Sequence, residues 1–141
     1  MIQQPTPANY PEMAALWEAS VRATHHFLTE EDIWRIKPML PGIFESIQVY
    51  IVSDNNIIAG MLGLTGDEIA MLFLHPNVFG KGIGKMLVNY AINEHGARKV
   101  EVNEQNPQAI GFYQHMGFKI TSRRDTDDYG QAFPILEMEL G

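Results

Sequence analysis

The chain has 141 residues, 45% of them apolar, with 10 basic against 17 acidic side chains and a formal net charge of -7. A chain of this length buries about two-thirds of the surface it exposes when unfolded, so one domain over residues 1–141 needs no disulfide or metal merely to fold. The absence of cysteine removes thiolate nucleophiles, Cys-type zinc sites and iron–sulfur clusters, and a pI near 5.1 argues against wrapping nucleic acid or lying on an anionic membrane.

The opening MIQQPTPANY carries neither a basic nor an apolar leader pattern, and the apolar stretches are too short to span a bilayer, so a cytoplasmic protein is expected. A short strand is expected at Ile2 to Gln4. Asn9 then caps a helix in which Met13, Leu16, Trp17 and Val21 recur at helical spacing. After the THHFLT loop, Thr29 with Asp32 three residues on resembles a capping box and predicts a second helix over about 30–39, ended by Pro38 and Pro41-Gly42. Two strand-like runs follow, Ile47 to Val52 and Ile57 to Leu64, joined by the turn Ser53-Asp54-Asn55-Asn56. Thr65-Gly66-Asp67 turns the chain into a third, Glu68 to Leu74, which completes an antiparallel meander.

The second half changes rhythm. A glycine-rich loop from Pro76 to Gly84 runs into a helix carrying Ile83, Leu87, Tyr90 and Ala91 and closed by Gly96, and Lys99 to Asn103 alternates like a strand. Strand, loop, helix and strand form a βαβ unit. Pro107 starts a last helix with Ala109, Ile110, Phe112, Tyr113 and Met116 on its apolar face, Gly117 ends it, and strands Phe118 to Ser122 and Phe133 to Leu140 complete the chain. Asp125 to Asp128 reads as a turn, since it lacks the EF-hand pattern. The fold class is α+β with α/β character: a mixed, mostly antiparallel sheet with helices on both faces.

Glycine stands at every second position of Gly80-Lys81-Gly82-Ile83-Gly84, between a buried strand and a helix N-terminus. Such a loop curls so that successive N–H groups converge, and the helix end adds partial positive charge; the product is a phosphate cradle. A nucleoside-triphosphate loop requires Gly at position 79 and Ser or Thr at 86, where Phe79 and Met86 stand, and the dinucleotide-binding spacing fails as well. One helix and one strand later, residues 106–118 read N-x-x-A-x-x-F-Y-x-x-x-G-F. With these two motifs at this separation the sequence resembles the GNAT superfamily, the small single-domain N-acetyltransferases that use acetyl-coenzyme A, most closely from about Ile57 to Ile120.

The resemblance implies a residue-level map. The family's R/Q-x-x-G-x-G/A motif falls on Phe79-Gly80-Lys81-Gly82-Ile83-Gly84, with Phe79 in place of the usual Arg or Gln, and its backbone amides are expected to hold the pyrophosphate while Lys81 or Lys85 supplies charge. The pantetheine arm is expected to pair with the strand Leu72, Phe73 and Leu74, and Asn106 to touch it from the other side. Tyr113 matches the tyrosine that faces the thioester sulfur and assists the leaving thiolate. Glu101, in the strand before Asn106, is the expected general base, with Glu68 as a relay through water.

By the same resemblance His25 and His26 lie near an acceptor site, although loop histidines ordinarily face solvent. No H-E-x-x-H or related metal spacing occurs, so no metal is expected. The expected reaction is direct attack of a primary amine, on a small molecule or a protein, upon acetyl-coenzyme A in a ternary complex. The expected assembly is a monomer or homodimer. The alternative is a non-catalytic coenzyme A-binding sensor or interaction module.

Overall fold

A computed structural model describes residues 2–127 and 130–141 of the chain. In chain order the elements are β1 (Ile2–Gln3), α1 (Tyr10–Thr24), α2 (Glu30–Ile36), α3 (Leu40–Ser46), β2 (Gln48–Asp54), β3 (Ile57–Thr65), β4 (Glu68–Leu74), α4 (Ile83–His95), β5 (Lys99–Asn103), α5 (Pro107–His115), β6 (Phe118–Arg124) and β7 (Ile135–Leu140). The strands form one sheet in the order β1-β2-β3-β4-β5-β7-β6, with every neighbouring pair antiparallel except β4 and β5.

Period-two alternation sends successive residues of a strand to opposite faces, and each face here has its own core. Val49 and Ile51 of β2 join Met13, Leu16, Trp17, Ile33 and Phe44 beneath α1, α2 and α3. Tyr50 joins Leu62, Leu87, Val88, Val100, Tyr113 and Phe118 beneath α4 and α5. The interior strand β3 is buried from Ile58 to Leu64, as a strand covered on both faces must be. Its N-terminal end is tied to α1 by the Ile58 N–H, which donates to Glu12 Oε2 at 2.7 Å.

The opening that matters for function lies between the two parallel strands. β4 pairs with β5 only at Glu68↔Lys99 and Ile69↔Val100, whereas it stays paired with β3 as far as Leu74↔Gly60. Beyond Ile69 the two strands part, and Leu72, Phe73 and Leu74 are only half-buried. A bulge helps to shape this opening: the register with β3 steps from Gly63↔Met71 to Leu64↔Ile69, leaving Ala70 unpaired in the ladder.

Several local expectations need correction. Helix 30–39 is α2 followed by a 3-10 turn at Lys37–Met39, and the chain then continues into α3 instead of stopping at the prolines. Pro38 and Pro41 each fall within the first two residues of a new helical segment, where a missing N–H costs nothing. The Asn9 side chain does not cap α1; its Oδ1 accepts from the Thr6 N–H at 2.8 Å. The last strand begins at Ile135, two residues later than expected, and β6 runs on to Arg124. Asp128, in the expected turn, lies outside the described residues. Among the described residues no helix is long and apolar enough to cross a membrane.

Candidate active site

A cavity of about 600 Å³ lies along the part of β4 that has parted from β5. Its walls are Leu72, Phe73 and Leu74 of β4, the loop and first turn of α4 from Val78 to Lys85 except Lys81, Asn106, and the Gln108, Ala109, Phe112, Tyr113 and His115 face of α5; Ser20 and Thr24 of α1 and His25 just after it close the cavity. The two sequence motifs, 20 and more residues apart, thus meet across one space.

The loop is built for close backbone approach. Gly80 and Gly82 have φ of +79° and +85°, and a Cβ at either would meet nothing within 4 Å, so conformation and not crowding requires glycine there. Gly84 differs: a Cβ would come within 3.2 Å of the Leu74 side chain, so its smallness lets α4 sit against β4. α4 begins at Ile83, and its first-turn N–H groups at Ile83, Gly84 and Lys85 have no carbonyl four residues back within the helix. Two amides of the loop are committed inward, Phe79 N–H to the Pro76 carbonyl and Lys81 N–H to the Val78 carbonyl, both at 3.2 Å. Lys81 does not border the cavity, whereas Lys85 does, so Lys85 is the loop's cation at the cavity wall. Phe79 borders the cavity and is 39% exposed.

Asn106, only 6% exposed, caps α5 by accepting the Ala109 N–H at 3.2 Å on Oδ1, which leaves its amide nitrogen to point elsewhere. That nitrogen lies 3.5 Å from His25 Nε2. Tyr113 is held by ring contacts with Phe112 and Phe118, centroids 5.2 and 5.6 Å away. Burial pushes its phenol well above the ordinary value of 10, which favours the protonated form.

The two expected carboxylate bases are not brought to this cavity. Glu101 lies on β5 between Val100 and Val102, whose side chains enter the core under α4 and α5, so Glu101 projects from the opposite face. There its two oxygens accept from the Arg124 guanidinium at 2.9 and 3.2 Å. Glu68 sits at the closed end of the opening, paired with Lys99, four residues before Leu72 and so roughly 13 Å along the strand.

His25, placed near an acceptor site by the resemblance, borders the cavity and is half-buried, unlike an ordinary solvent-facing loop histidine. Its ring makes tilted contacts with Phe27 and Phe73, centroids 5.4 and 6.2 Å away, and its Nδ1 lies 2.7 Å from Thr24 Oγ1. Burial, reinforced by His26, pushes its pKa down to about 4. The His25 ring also borders a second cavity of about 220 Å³ walled by Phe27, Leu28, Ile36, Met39, Ile43, Phe133 and Ile135, with Arg35, Asn103, Asp127 and Gln131 as its polar groups. The signal for the α1 contribution was present in the sequence: Ser20 and Thr24 continue the apolar stripe of Met13 and Trp17 with hydroxyls, and Ser20 is buried.

A splayed parallel pair inside an otherwise antiparallel sheet, with a glycine loop opening a helix at the splay, defines an acyl-coenzyme A transferase class of fold. Residues 45–120 match the family model of the acetyltransferase (GNAT) domain, and the chain belongs to that family. It is 38% identical over 128 residues to the peptidyl-lysine N-acetyltransferase YjaB of Salmonella typhimurium, covering 90% of this chain and 88% of that one. The solution structure of apo-form YjaB from Escherichia coli matches with a TM-score of 0.90 at 33% identity, covering 99% of this chain and 96% of that one. The PaiA N-acetyltransferase of Thermoplasma acidophilum, solved in complex with coenzyme A, shares the fold with a TM-score of 0.73 at 23% identity, over 97% of this chain and 96% of that one. The protein is accordingly an N-acetyltransferase with acetyl-coenzyme A as donor, and the sensor alternative is not favoured.

Proposed function

We propose that the chain is a single N-acetyltransferase domain that acetylates the ε-amine of lysine in proteins. The observation that carries this reading is the meeting of two cavities of different character at His25, one beside the glycine loop and one with mainly apolar walls. A lysine stem of four methylenes suits such walls, with its amine carried to the inner end. The names of the relatives with 38% and 35% identity, both peptidyl-lysine N-acetyltransferases, support the same acceptor.

In this reading the donor supplies an activated acetyl group as a thioester, and the protein positions it. The first-turn amides at Ile83, Gly84 and Lys85, with Gly80 and Gly82 giving access, bind the pyrophosphate. The unpaired edge of Leu72, Phe73 and Leu74 takes the pantetheine arm as an added strand and polarises the acetyl carbonyl, and Asn106 flanks the arm. Tyr113 directs its hydroxyl to the leaving sulfur. Because its phenol is a weaker acid than a free thiol, its part is a hydrogen bond that stabilises the thiolate, not complete proton transfer.

Thiol release from acetyl-coenzyme A with lysine peptides, N-terminal α-amines and polyamines tests the acceptor. Mass spectrometry should place the acetyl group on Nε, with kcat/KM at least tenfold above the other amines. A preference for an α-amine or a polyamine would refute the lysine assignment.

A further inference from the structure

We propose that His25 is the group that takes the proton from the attacking amine, its imidazole standing at the junction of the two cavities with Nε2 as the basic atom. The inference rests on the acyl-transfer reading above and adds the residue that reading lacks, since neither Glu101 nor Glu68 borders either cavity.

The tautomer follows from the direction of the hydrogen bonds. Thr24 Oγ1 has one hydrogen, and it donates to the Ser20 carbonyl at 2.8 Å. It therefore accepts from its other neighbour, so the His25 proton sits on Nδ1, which donates to Thr24 Oγ1 at 2.7 Å. Nε2 is left with a lone pair. The remaining contact to Nε2 comes from Asn106 Nδ2 at 3.5 Å, the outer limit of a hydrogen bond, so the lone pair is only weakly engaged. Tilted contacts with the Phe27 and Phe73 rings, together with the Thr24 bond, orient the imidazole.

The charged and titratable groups around it leave few rivals. Across the donor cavity stand Lys85, His115 and Tyr113; around the second cavity stand Arg35 and Asp127; His26 adjoins in sequence. Among the described residues bordering both cavities, His25 is the titratable one. Arg35 is held by Asp32 Oδ1 at 3.2 Å and Gln131 Oε1 at 3.1 Å, and Asp127 Oδ1 accepts the Gln131 N–H at 2.9 Å.

The chemistry balances without a further reactant. The nitrogen of a neutral amine forms a bond to the acetyl carbon, the carbon–sulfur bond breaks with its electron pair going to sulfur, and one N–H proton passes to Nε2. The imidazolium gives that proton to solvent and the thiolate takes one up, so amine and thioester become amide and thiol. Burial makes His25 too weak a base to deprotonate a free ammonium near pKa ~10.4; it acts on a nitrogen made acidic by the forming C–N bond.

The test uses the full-length protein with whichever amine the wild type accepts best, so a wrong lysine assignment shows in the wild type and leaves this question intact. His25→Gln fills much of the ring's space, presents its amide where the ring carried Nε2, and cannot take a proton. Its kcat/KM should fall by about 100-fold or more, with the acetyl-coenzyme A Kd from calorimetry within about threefold of wild type. His25→Ala should lose as much and regain activity in proportion to added imidazole. His26→Gln should remain within about twofold of wild type. If His25→Gln keeps kcat/KM within about fivefold, or loses donor affinity in step with activity, His25 is not the proton acceptor. Should His25→Ala fail to fold, the His25→Gln result decides alone.

Discussion

Glu101 and Arg124 are joined by a two-pronged ion pair across three strands, with guanidinium nitrogens 2.9 and 3.2 Å from the two carboxylate oxygens and a third contact from Arg124 to Glu137 at 3.1 Å. The pair stands on the sheet face opposite the α4 and α5 core, which removes Glu101 from the splay and gives it a structural partner. Glu101→Gln is therefore expected to leave kcat/KM within about threefold of wild type and its pH profile unshifted. Its stability cost should stay within about 1 kcal/mol, since the partners are partly exposed. A pH–rate profile on the variant checks this. Loss of the ascending limb on the acid side would restore Glu101 as the base.

Gly82 tests the pyrophosphate assignment. At φ +85° any side chain is strained by roughly 1–2 kcal/mol, and Asp adds a negative charge where phosphates are proposed to sit. Asp is ordinarily a good N-cap, yet the left-handed backbone here is not the extended conformation that lets a capping oxygen reach back, so no compensating gain is expected. Gly82→Asp should weaken coenzyme A binding at least tenfold, or about 1.4 kcal/mol, and Gly82→Ala by less. Equal donor affinities in calorimetry for all three proteins would move the pyrophosphate elsewhere.

The glycine loop and the elements that line the cavity beside it were legible in the sequence because their determinants are local. Glycine spacing, the helix that follows it and the helix start at Pro107 are each set within a few residues of chain, and Glu68–Leu74 and Lys99–Asn103 have the bounds that alternation and turns imply; the Asn106 cap was not read from the sequence. The acceptor side was not, because it depends on which face a residue takes. Glu101 reads as a site residue until its parity with Val100 and Val102 is fixed by the core they enter. His25 reads as a loop residue until Phe73, 48 positions away, is known to lie against it. The Lys37–Met39 turn and α3 were hidden by prolines that start helical segments as readily as they end them.

Tyr113→Phe keeps the ring packing against Phe112 and Phe118 and removes only the hydroxyl. With the hydroxyl acting on the departing sulfur, kcat should fall roughly 10- to 1000-fold while the donor Kd changes by less than about twofold, because the interaction strengthens only as charge develops on sulfur. Steady-state kinetics paired with calorimetry separate the two quantities. A wild-type kcat would assign Tyr113 to packing alone.

The half-buried His25 also predicts how stability responds to acid. Its pKa is about 4 in the folded protein against an ordinary value of 6.5, so between those values the unfolded chain binds a proton that the folded one refuses. Above pH 6.5 both forms are neutral and nothing is lost; as pH falls through the window, unfolding gains free energy, reaching about 3 kcal/mol near pH 4. The carboxylates that cations and hydrogen bonds hold low, Glu18 by Lys37 and Arg22, Glu30 by Arg22, Asp32 by the Thr29 N–H and Glu104 by Arg123, release their contribution beneath their ordinary values of 4.5 and 3.8. The interval from pH 6.5 to about 4.5 therefore belongs mainly to His25 among these groups. His25→Gln, which has no proton to bind, should be less stable than wild type at pH 7.5 through lost packing, and the gap should narrow steadily as pH falls to 4.5. Urea unfolding of the two proteins across that range reads the slope directly. Parallel curves would mean that His25 is protonated in the folded state and that its ring is wetter than the tilted contacts with Phe27 and Phe73 imply.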